Sequence, residues 1–270
     1  MKQYYFISGL PRTCSTLLCN IFAQNPEVFV TKSTSGCHDV LFNIRNQWDN
    51  LIEHQAQDGG VNYEQLRKVM WGALENYHLT DKQIIIDKGR GWLSVLEMIE
   101  FVMEKKAKVI VPVRDVAEIL ASFEQLWRKT TGSSQWAFES AEYFKAQTIE
   151  GRCEIWAGAQ QPIGLAYNRV KDAIARGLTD RLLFVEMDNL TRYPEIEMKR
   201  IYKFLELDYF KHNFDNVEQV TKEDDINIHR IPGLHNIRSK VEPVPRKAPQ
   251  ILGANLCKLY SNLEVWRNLK

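Results

Sequence analysis

Four short apolar segments constrain the fold of this chain more than any other feature. They lie at residues 3–8, 83–87, 108–113 and 181–186. Each is five or six residues long, and together they are rich in β-branched and aromatic side chains. Continuous apolar runs of this kind are typical of strands covered on both faces, as in parallel sheets. The sequence therefore predicts four buried strands of a parallel sheet.

Amphipathic patterns with helical spacing separate these segments. They lie at residues 15–24, 62–77, 93–104, 116–127 and 194–205. Asn62 is a candidate N-cap, and Pro194 suits the first turn of the last helix. Because strands alternate with helices, we predict an α/β fold, a three-layer sandwich with a central parallel sheet. No linker-like change in composition divides the chain, so we predict one domain over residues 1–270.

Charge, hydropathy and cysteine content disfavour several classes of function. The chain has 35 basic and 34 acidic residues, a net charge of +1, so no overall field attracts nucleic acid. No apolar stretch resembles a signal sequence or a transmembrane helix, and we expect no stable membrane insertion. The five cysteines form no zinc-binding pattern. Reduced thiols and a cytoplasmic location are the simplest interpretation.

A phosphate-binding loop is indicated between the first strand and the first helix. Residues 9–16 have the spacing of GxxxxGK[ST], with Thr16 at the final hydroxyl position. Cys14 replaces the second glycine and Ser15 replaces the lysine, so the cation of the loop is Arg12. Without that lysine an ordinary nucleoside triphosphate hydrolase is disfavoured, whereas an arginine at a helix N-terminus still suits an anion. A strand–turn–helix corner with a solvated arginine is the alternative.

A second candidate anion-binding pair follows the third predicted strand. Arg114 lies at the carboxyl end of that strand, where open α/β sheets bind ligands. Ser122 follows eight residues later on the next helix, a rise of roughly 12 Å. The two could meet on one phosphate only if the chain folds back there, and the alternative is a surface pair of Arg114 with Asp115.

These motifs resemble those of the sulfotransferases that use 3′-phosphoadenosine 5′-phosphosulfate (PAPS). Residues 9–18 resemble the 5′-phosphosulfate loop, and residues 113–122 resemble the 3′-phosphate motif, with the same Arg-to-Ser spacing. Residues 186–207 are similar to the strand end, acidic-Leu turn and following helix of the family. Asp87 and Lys88 resemble the lysine-bearing turn of the tyrosylprotein sulfotransferases. The likeness covers residues 1–210 with the motifs in the same order.

The resemblance implies a fold like that of the P-loop nucleoside triphosphate hydrolases and transfer of a sulfuryl group from PAPS to a hydroxyl or amine. The product of the donor would be adenosine 3′,5′-bisphosphate (PAP). The implied cofactor-binding residues are Arg12, Thr13, Cys14, Ser15 and Thr16 at the 5′-phosphosulfate, Arg114 and Ser122 at the 3′-phosphate, and Arg238 and Lys240 on a C-terminal loop. Arg12 and Lys88 would stabilise the leaving phosphate. No metal is expected, because no carboxylate-rich cluster follows the loop.

The general base of the expected site departs from the pattern of the family. The glutamate that the tyrosylprotein enzymes place after the first helix has no counterpart in residues 30–35, which puts a protein-tyrosine substrate in doubt. His38 is our candidate, with Glu124 and Asp87 as rivals. Cys14 is interpreted as a small loop residue whose thiol is incidental.

Two irregular regions interrupt the alternation of strands and helices. For residues 129–160 we predict a helical insertion on the substrate side. For residues 228–250, which contain four of the nine prolines, we predict a loop that covers the cofactor. Five aromatic residues near the first region could line an acceptor pocket or belong to the core. They are Trp127, Trp136, Tyr143, Phe144 and Trp156.

The expected partner is a small-molecule or glycan acceptor, with no nucleic acid. Two other functions stay open at this point: a P-loop small-molecule kinase and a non-catalytic nucleotide-binding protein. A kinase would need a lysine at the loop and an acidic residue that holds Mg²⁺, and Ser15 counts against it.

Overall fold

The central feature of the fold is a five-stranded sheet. The computed structural model describes residues 2–130, 139, 141–229 and 231–269. The strands of the described residues are β1 (Gln3–Ile7), β2 (Val28–Val30), β3 (Ile84–Lys88), β4 (Val109–Val113) and β5 (Leu182–Glu186). All pairings are parallel, and the strand order is β2-β3-β1-β4-β5. The four predicted strands are confirmed, and β2 is an additional strand at one edge.

Helices precede or follow each strand. The helices of the described residues are α1 (Ser15–Phe22), α2 (Cys37–Asn50), α3 (Ile52–Gln55), α4 (Tyr63–Tyr77), α5 (Leu96–Met103), α6 (Val116–Thr130), α7 (Ile149–Ala157), α8 (Pro162–Ala175), α9 (Met187–Arg192), α10 (Pro194–Leu205), α11 (Ala248–Leu252) and α12 (Ala254–Leu259). Short 3-10 turns occur at Trp92–Ser94, Lys145–Gln147, Thr179–Arg181 and Val265–Asn268. The predicted cap is confirmed, since the side chain of Asn62 accepts a hydrogen bond from the backbone N–H of Gln65 at 2.9 Å. None of the described helices has both the length and the apolar character that crossing a bilayer requires.

The hydrophobic core lies on both faces of the sheet. Successive residues of β1 point to opposite faces, so Tyr4 and Phe6 belong to one cluster while Tyr5 and Ile7 belong to the other. The larger cluster holds buried side chains of α2 and α4–α8, and the smaller holds those of α1 and α10. This arrangement confirms the predicted three-layer α/β sandwich with its central parallel sheet.

A close approach of β1 to β4 shapes the loop that follows β1. Leu10 donates its backbone N–H to the carbonyl of Pro112 at 3.0 Å. A Cβ at Gly9 would lie 2.3 Å from that same carbonyl oxygen, a distance no side-chain carbon tolerates. Glycine therefore lets the loop cross the end of β4, at the point in the sheet where the strand order reverses.

The aromatic residues considered for an acceptor pocket are dispersed. Trp156 is fully buried in the larger core, and Trp127 packs against it, while Tyr143 and Phe144 are exposed. Trp136 and most of the polar turn at 130–134 lie outside the described residues. Of the expected insertion at 129–160, the described part forms the end of α6, the turn Lys145–Gln147 and α7.

Candidate active site

A cleft of about 630 Å³ opens at the carboxyl ends of β1, β3 and β4. One wall is residues 8–17, with Lys88 and Arg114 on the neighbouring strand ends. Further walls come from α6, from α8 and from residues 234–247. We call residues 211–229 and 231–247 the C-terminal segment. The cleft lies where the strand order reverses, the position at which open α/β sheets bind ligands.

The phosphate loop leaves a helix N-terminus open to the cleft. Arg12 and Cys14 take left-handed backbone conformations, with φ of 58° and 61°, and α1 begins directly after them. Thr13 is buried, and its hydroxyl donates to the carbonyl of Leu10 at 2.7 Å, which holds the turn closed. The side chain of Cys14, the N-cap residue of α1, makes no capping hydrogen bond within the described structure. The first N–H groups of α1 therefore point at the space where an anion would sit.

Three arginines converge near Cys14. Burial raises the pKa of the Cys14 thiol, and this effect exceeds the opposing effects of Arg114, Arg12 and Arg238. The thiol is therefore a protonated group near neutral pH, in agreement with its interpretation as a small loop residue rather than a nucleophile. The three guanidinium groups give this end of the cleft a positive potential.

The side chain of Arg12 joins three parts of the chain. Its Nε donates to Ser122 Oγ on α6 at 3.2 Å, and its Nη1 donates to the carbonyl of Leu234 at 3.1 Å. The sequence assigned Arg12 and Ser122 to opposite ends of the donor. In the structure the two side chains are in contact, with both lining the cleft.

Arg114 is buried and only partly paired. Its Nη2 lies 3.3 Å from Glu118 Oε2, while its Nε has no hydrogen-bond partner among the described residues. Glu118 also accepts the backbone N–H groups of Lys247 and Ala248 at 3.0 Å. A buried guanidinium N–H with no partner costs free energy unless a ligand accepts it, so Arg114 fits an anion in the cleft.

Lys88 ends β3 at the other side of the phosphate loop. Its side chain is buried except where it borders the cleft. Its Nζ lies 3.3 Å from Glu223 Oε1. Glu223 also accepts the backbone N–H of Thr34 at 3.0 Å. Burial raises the pKa of Glu223, but Lys88, His235 and the Thr34 N–H lower it more, so the carboxylate is ionised.

None of the three sequence candidates for the general base lines the cleft. His38 is buried against Gly91, and burial lowers the pKa of its imidazole. Glu124 is fully buried and accepts hydrogen bonds from Arg152 at 2.8 Å. Asp87 is fully buried too, and accepts the indole N–H of Trp92 at 2.7 Å.

An acid–histidine cluster that the sequence analysis missed lies beside Lys88. It consists of Glu223, Asp225, His229 and His235. His235 Nδ1 lies 2.5 Å from Asp225 Oδ1, and His229 Nε2 lies 3.6 Å from Glu223 Oε2. Both histidines line the cleft. The acidic residues and histidines within residues 223–235 were the available sequence signal, but the convergence of these four side chains depends on the path of the C-terminal segment.

The remaining two predicted cofactor residues lie at the margin of the cleft. Arg238 is exposed and pairs with Glu242 at 3.0 Å, and Lys240 is exposed and pairs with Asp215 at 3.1 Å. Both line the cleft, so each could reach a ligand by exchanging a surface partner.

Among the described residues, two groups of side chains have the donor types of a metal site. Cys37, His78 and Asp87 lie buried with donor atoms within 4.8 Å of one another, and they do not line the cleft. Glu223, His229 and His235 form the second group. The positive side chain of Lys88 contacts this second group, which disfavours a cation there. The expectation that no metal is needed stays a prediction.

An all-parallel sheet with an uncapped helix N-terminus and several arginines at its carboxyl edge defines a P-loop-like fold with a candidate anion-binding site. A family model described as "Sulfotransferase family" matches residues 5–211. The chain belongs to the sulfotransferase family and is a sulfotransferase enzyme. This membership disfavours the non-catalytic alternative, and nothing in the described part of the cleft favours a kinase. A comparison with curated proteins found no match.

Solved structures similar to this chain are sulfotransferases as well. The mouse sulfotransferase SULT7A1 complexed with PAP aligns with a TM-score of 0.56 and 15% identity, covering 100% of this chain and 86% of that one. STF9 from Mycobacterium avium aligns with a TM-score of 0.48 and 14% sequence identity, covering 98% of this chain and 76% of that one. The sulfotransferase domain of the Synechococcus PCC 7002 olefin synthase aligns with a TM-score of 0.45 and 18% identity, covering 96% of this chain and 95% of that one. The likeness to the mouse enzyme shows that the fold is shared.

Proposed function

We propose that this enzyme transfers the sulfuryl group of PAPS to a hydroxyl or amine of a small-molecule or glycan acceptor. The observation that carries the proposal is the buried Arg114, whose Nε lacks a partner, beside the uncapped N-terminus of α1. Two separate anion-binding features suit a donor with phosphate groups at both its 3′ and 5′ positions. The presence of PAP in the similar mouse structure supports this choice of donor.

The residue roles that the resemblance implies are supported by the positions of these residues around the cleft. The backbone of residues 12–16 would hold the 5′-phosphosulfate at the start of α1. Arg114 and Ser122 would hold the 3′-phosphate, with Arg238 and Lys240 at its outer side. PAPS supplies the sulfuryl group together with a phosphate leaving group. Lys88 and Arg12 would stabilise the negative charge that develops on the leaving oxygen.

Calorimetric titration with PAP, ADP and ATP–Mg²⁺ tests the donor assignment. We expect PAP to bind with micromolar affinity and much more tightly than ADP, because only PAP carries the 3′-phosphate. Arg114→Gln should weaken the affinity for PAP by about 10- to 100-fold, the range for loss of a hydrogen bond to a charged group. The affinity for ADP should change little. Arg45→Gln, on the half-exposed face of α2, is the matched control and should bind both as the wild type does. Equal affinities for PAP and ADP, or a preference for ATP–Mg²⁺, would contradict the proposal.

Turnover is tested with ³⁵S-labelled PAPS and a panel of phenols, alcohols, amines and sugars. Appearance of label in an acceptor, together with PAP, is the expected result. Tight PAP binding without consumption of PAPS in any of these reactions would contradict the proposed transfer while leaving the binding assignment intact.

A further inference from the structure

The side of the cleft next to Lys88 needs a group that accepts a proton, because a hydroxyl or ammonium acceptor must lose one during transfer. Four acidic or histidine side chains that line the cleft are described: Glu118, His229, His235 and Glu242. Glu118 is held by Arg114 and two backbone N–H groups, and Glu242 pairs with Arg238 at the opposite margin. The two histidines of the acid–histidine cluster remain, on the wall of the cleft that contacts Lys88 through Glu223.

His235 is oriented by a single carboxylate at two points. Asp225 Oδ1 lies 2.5 Å from its ring Nδ1, and Asp225 Oδ2 accepts its backbone N–H at 2.9 Å. An ionised carboxylate at this distance assigns the proton to Nδ1, which leaves Nε2 as a proton acceptor. No hydrogen bond to Nε2 is found among the described residues. His229 has no such partner, since its Nε2 lies 3.6 Å from Glu223 without a hydrogen bond.

The position of His235 relates it to both cations proposed at the leaving group. The preceding residue, Leu234, accepts a hydrogen bond from Arg12 at 3.1 Å. Glu223 Oε2 lies 3.8 Å from His235 Nδ1, while Glu223 Oε1 lies 3.3 Å from Lys88 Nζ. His235 is thus connected to both of these cations, to Arg12 through the adjacent Leu234 and to Lys88 through Glu223.

We propose that His235 is the general base of this enzyme, positioned by Asp225, with Glu223 holding Lys88. The inference rests on the proposed function. The acceptor proton moves to His235 Nε2 as the acceptor atom bonds to sulfur and the bond from sulfur to the bridging oxygen breaks. The electron pair stays on the leaving phosphate beside Arg12 and Lys88, and the proton passes to water after transfer.

Both negative and positive side chains surround His235. Asp225 and Glu223 face the ring with negative charge and stabilise the imidazolium that forms. Arg12 and Lys88 oppose it from the phosphate loop and β3, and the ring of His229 lies 5.1 Å away. The Asp225 carboxylate, 2.5 Å from Nδ1, contacts the ring directly and would stabilise its positive charge during transfer.

The test compares phenol with 4-nitrophenol as acceptors in single-turnover reactions with ³⁵S-PAPS and excess enzyme. Phenol keeps its proton at pH 8, with an ordinary pKa near 10, whereas 4-nitrophenol is largely ionised and needs no base. His235→Gln should lower the rate with phenol by about 100-fold or more and that with 4-nitrophenol by less than 10-fold. The affinity of the His235→Gln variant for PAP should stay within about twofold of that of the wild type. If wild type sulfates neither phenol, loss of PAPS to water in the same reaction serves as the readout.

Asp225→Asn and His229→Gln sharpen the assignment. Without the Asp225 carboxylate the imidazolium is less stable, so the acidic limb of the rate profile should move to lower pH, with a smaller loss in rate than for His235→Gln. A purely structural Asp225 would leave that limb in place. Selective loss with phenol in His229→Gln, or an equal loss with both phenols in His235→Gln, would overturn the proposal. Failure of the wild type to bind PAP would instead contradict the proposed function.

Discussion

Lys88 and Glu223 illustrate how single residues prepare the cleft for a charged reaction. The two side chains lie 3.3 Å apart and both are largely shielded from water. Glu223 is held in turn by the backbone N–H of Thr34. The ammonium group is therefore fixed by the protein at the end of β3, and little reorganisation is needed when negative charge develops nearby. Preorganised charge of this kind is usually the largest contribution to catalysis.

Replacement of Lys88 by alanine tests this contribution. Lys88→Ala should lower the transfer rate by about 100- to 1000-fold, because the variant lacks one preorganised donor that we propose for the leaving oxygen. PAP affinity should fall far less, since the loop and Arg114 remain. Single-turnover rates and calorimetry on the same preparation separate the two effects. Lys68→Ala, an exposed lysine of α4, is the control and should match wild type. A loss in PAP affinity as large as the loss in rate would place Lys88 in binding rather than catalysis.

The strands and helices that the sequence predicts are those with a clear local pattern of apolar residues. Buried apolar runs located β1, β3, β4 and β5, but β2 has only three residues, Val28–Val30, too few for a periodic signal. The helix Pro162–Ala175, which lines the cleft, was not predicted. The acid–histidine cluster could not be located from local patterns, because Lys88 and Glu223 are 135 residues apart and meet through a segment without regular structure.

The crossing of the phosphate loop over β4 gives a prediction for Gly9. In Gly9→Ala the new methyl group would lie 2.3 Å from the carbonyl oxygen of Pro112, so β1 and β4 must separate or the loop must move. We expect loss of about 2 kcal/mol or more of unfolding free energy together with weaker PAP binding. Urea unfolding and calorimetry measure the two quantities.

Gly72→Ala is the matched control for that substitution. Gly72 lies within α4, and a Cβ there meets nothing within 4 Å. Alanine should therefore stabilise the helix by up to about 1 kcal/mol and leave PAP binding unchanged. If Gly9→Ala behaved as this control does, the close approach of the loop to β4 would not constrain the site.

Across the whole fold, hydrogen bonds attach the C-terminal segment to the helices and loops that pack around the sheet. Lys222 donates its backbone N–H to the carbonyl of Lys32, and the side chain of Asn20 on α1 binds Thr221 at 2.8 Å. The segment begins in an aromatic group in which His212 Nε2 lies 3.2 Å from the hydroxyl of Tyr202. The wall that carries the acid–histidine cluster is thus anchored through the smaller core, and its position depends on that core.

The pH dependence of stability should report on this anchor. Burial lowers the pKa of His212 to about 4 from 6.5, so the folded protein keeps the imidazole neutral where the unfolded chain takes up a proton. The unfolded state binds more protons between pH 6.5 and 4, and stability therefore falls as pH falls through this window. Allowing for partial solvation, we expect a loss of about 1 to 2 kcal/mol from this group. His212→Gln should be less stable at pH 7 but lose less between pH 7 and 5, measured by urea unfolding.

A histidine outside the smaller core supplies the control for this effect. His54→Gln changes a histidine of the short helix α3, which does not line the cleft, and should keep the fall in stability that His212 contributes. PAP, if it binds the folded state as proposed, should raise the unfolding midpoint at each pH without altering the loss due to His212. Because His212 holds the segment that carries His235, transfer activity should decline in the same pH range in which the wild type loses stability. An identical slope for wild type and His212→Gln between pH 7 and 5 would assign the acid sensitivity to other groups and separate the anchor from the site.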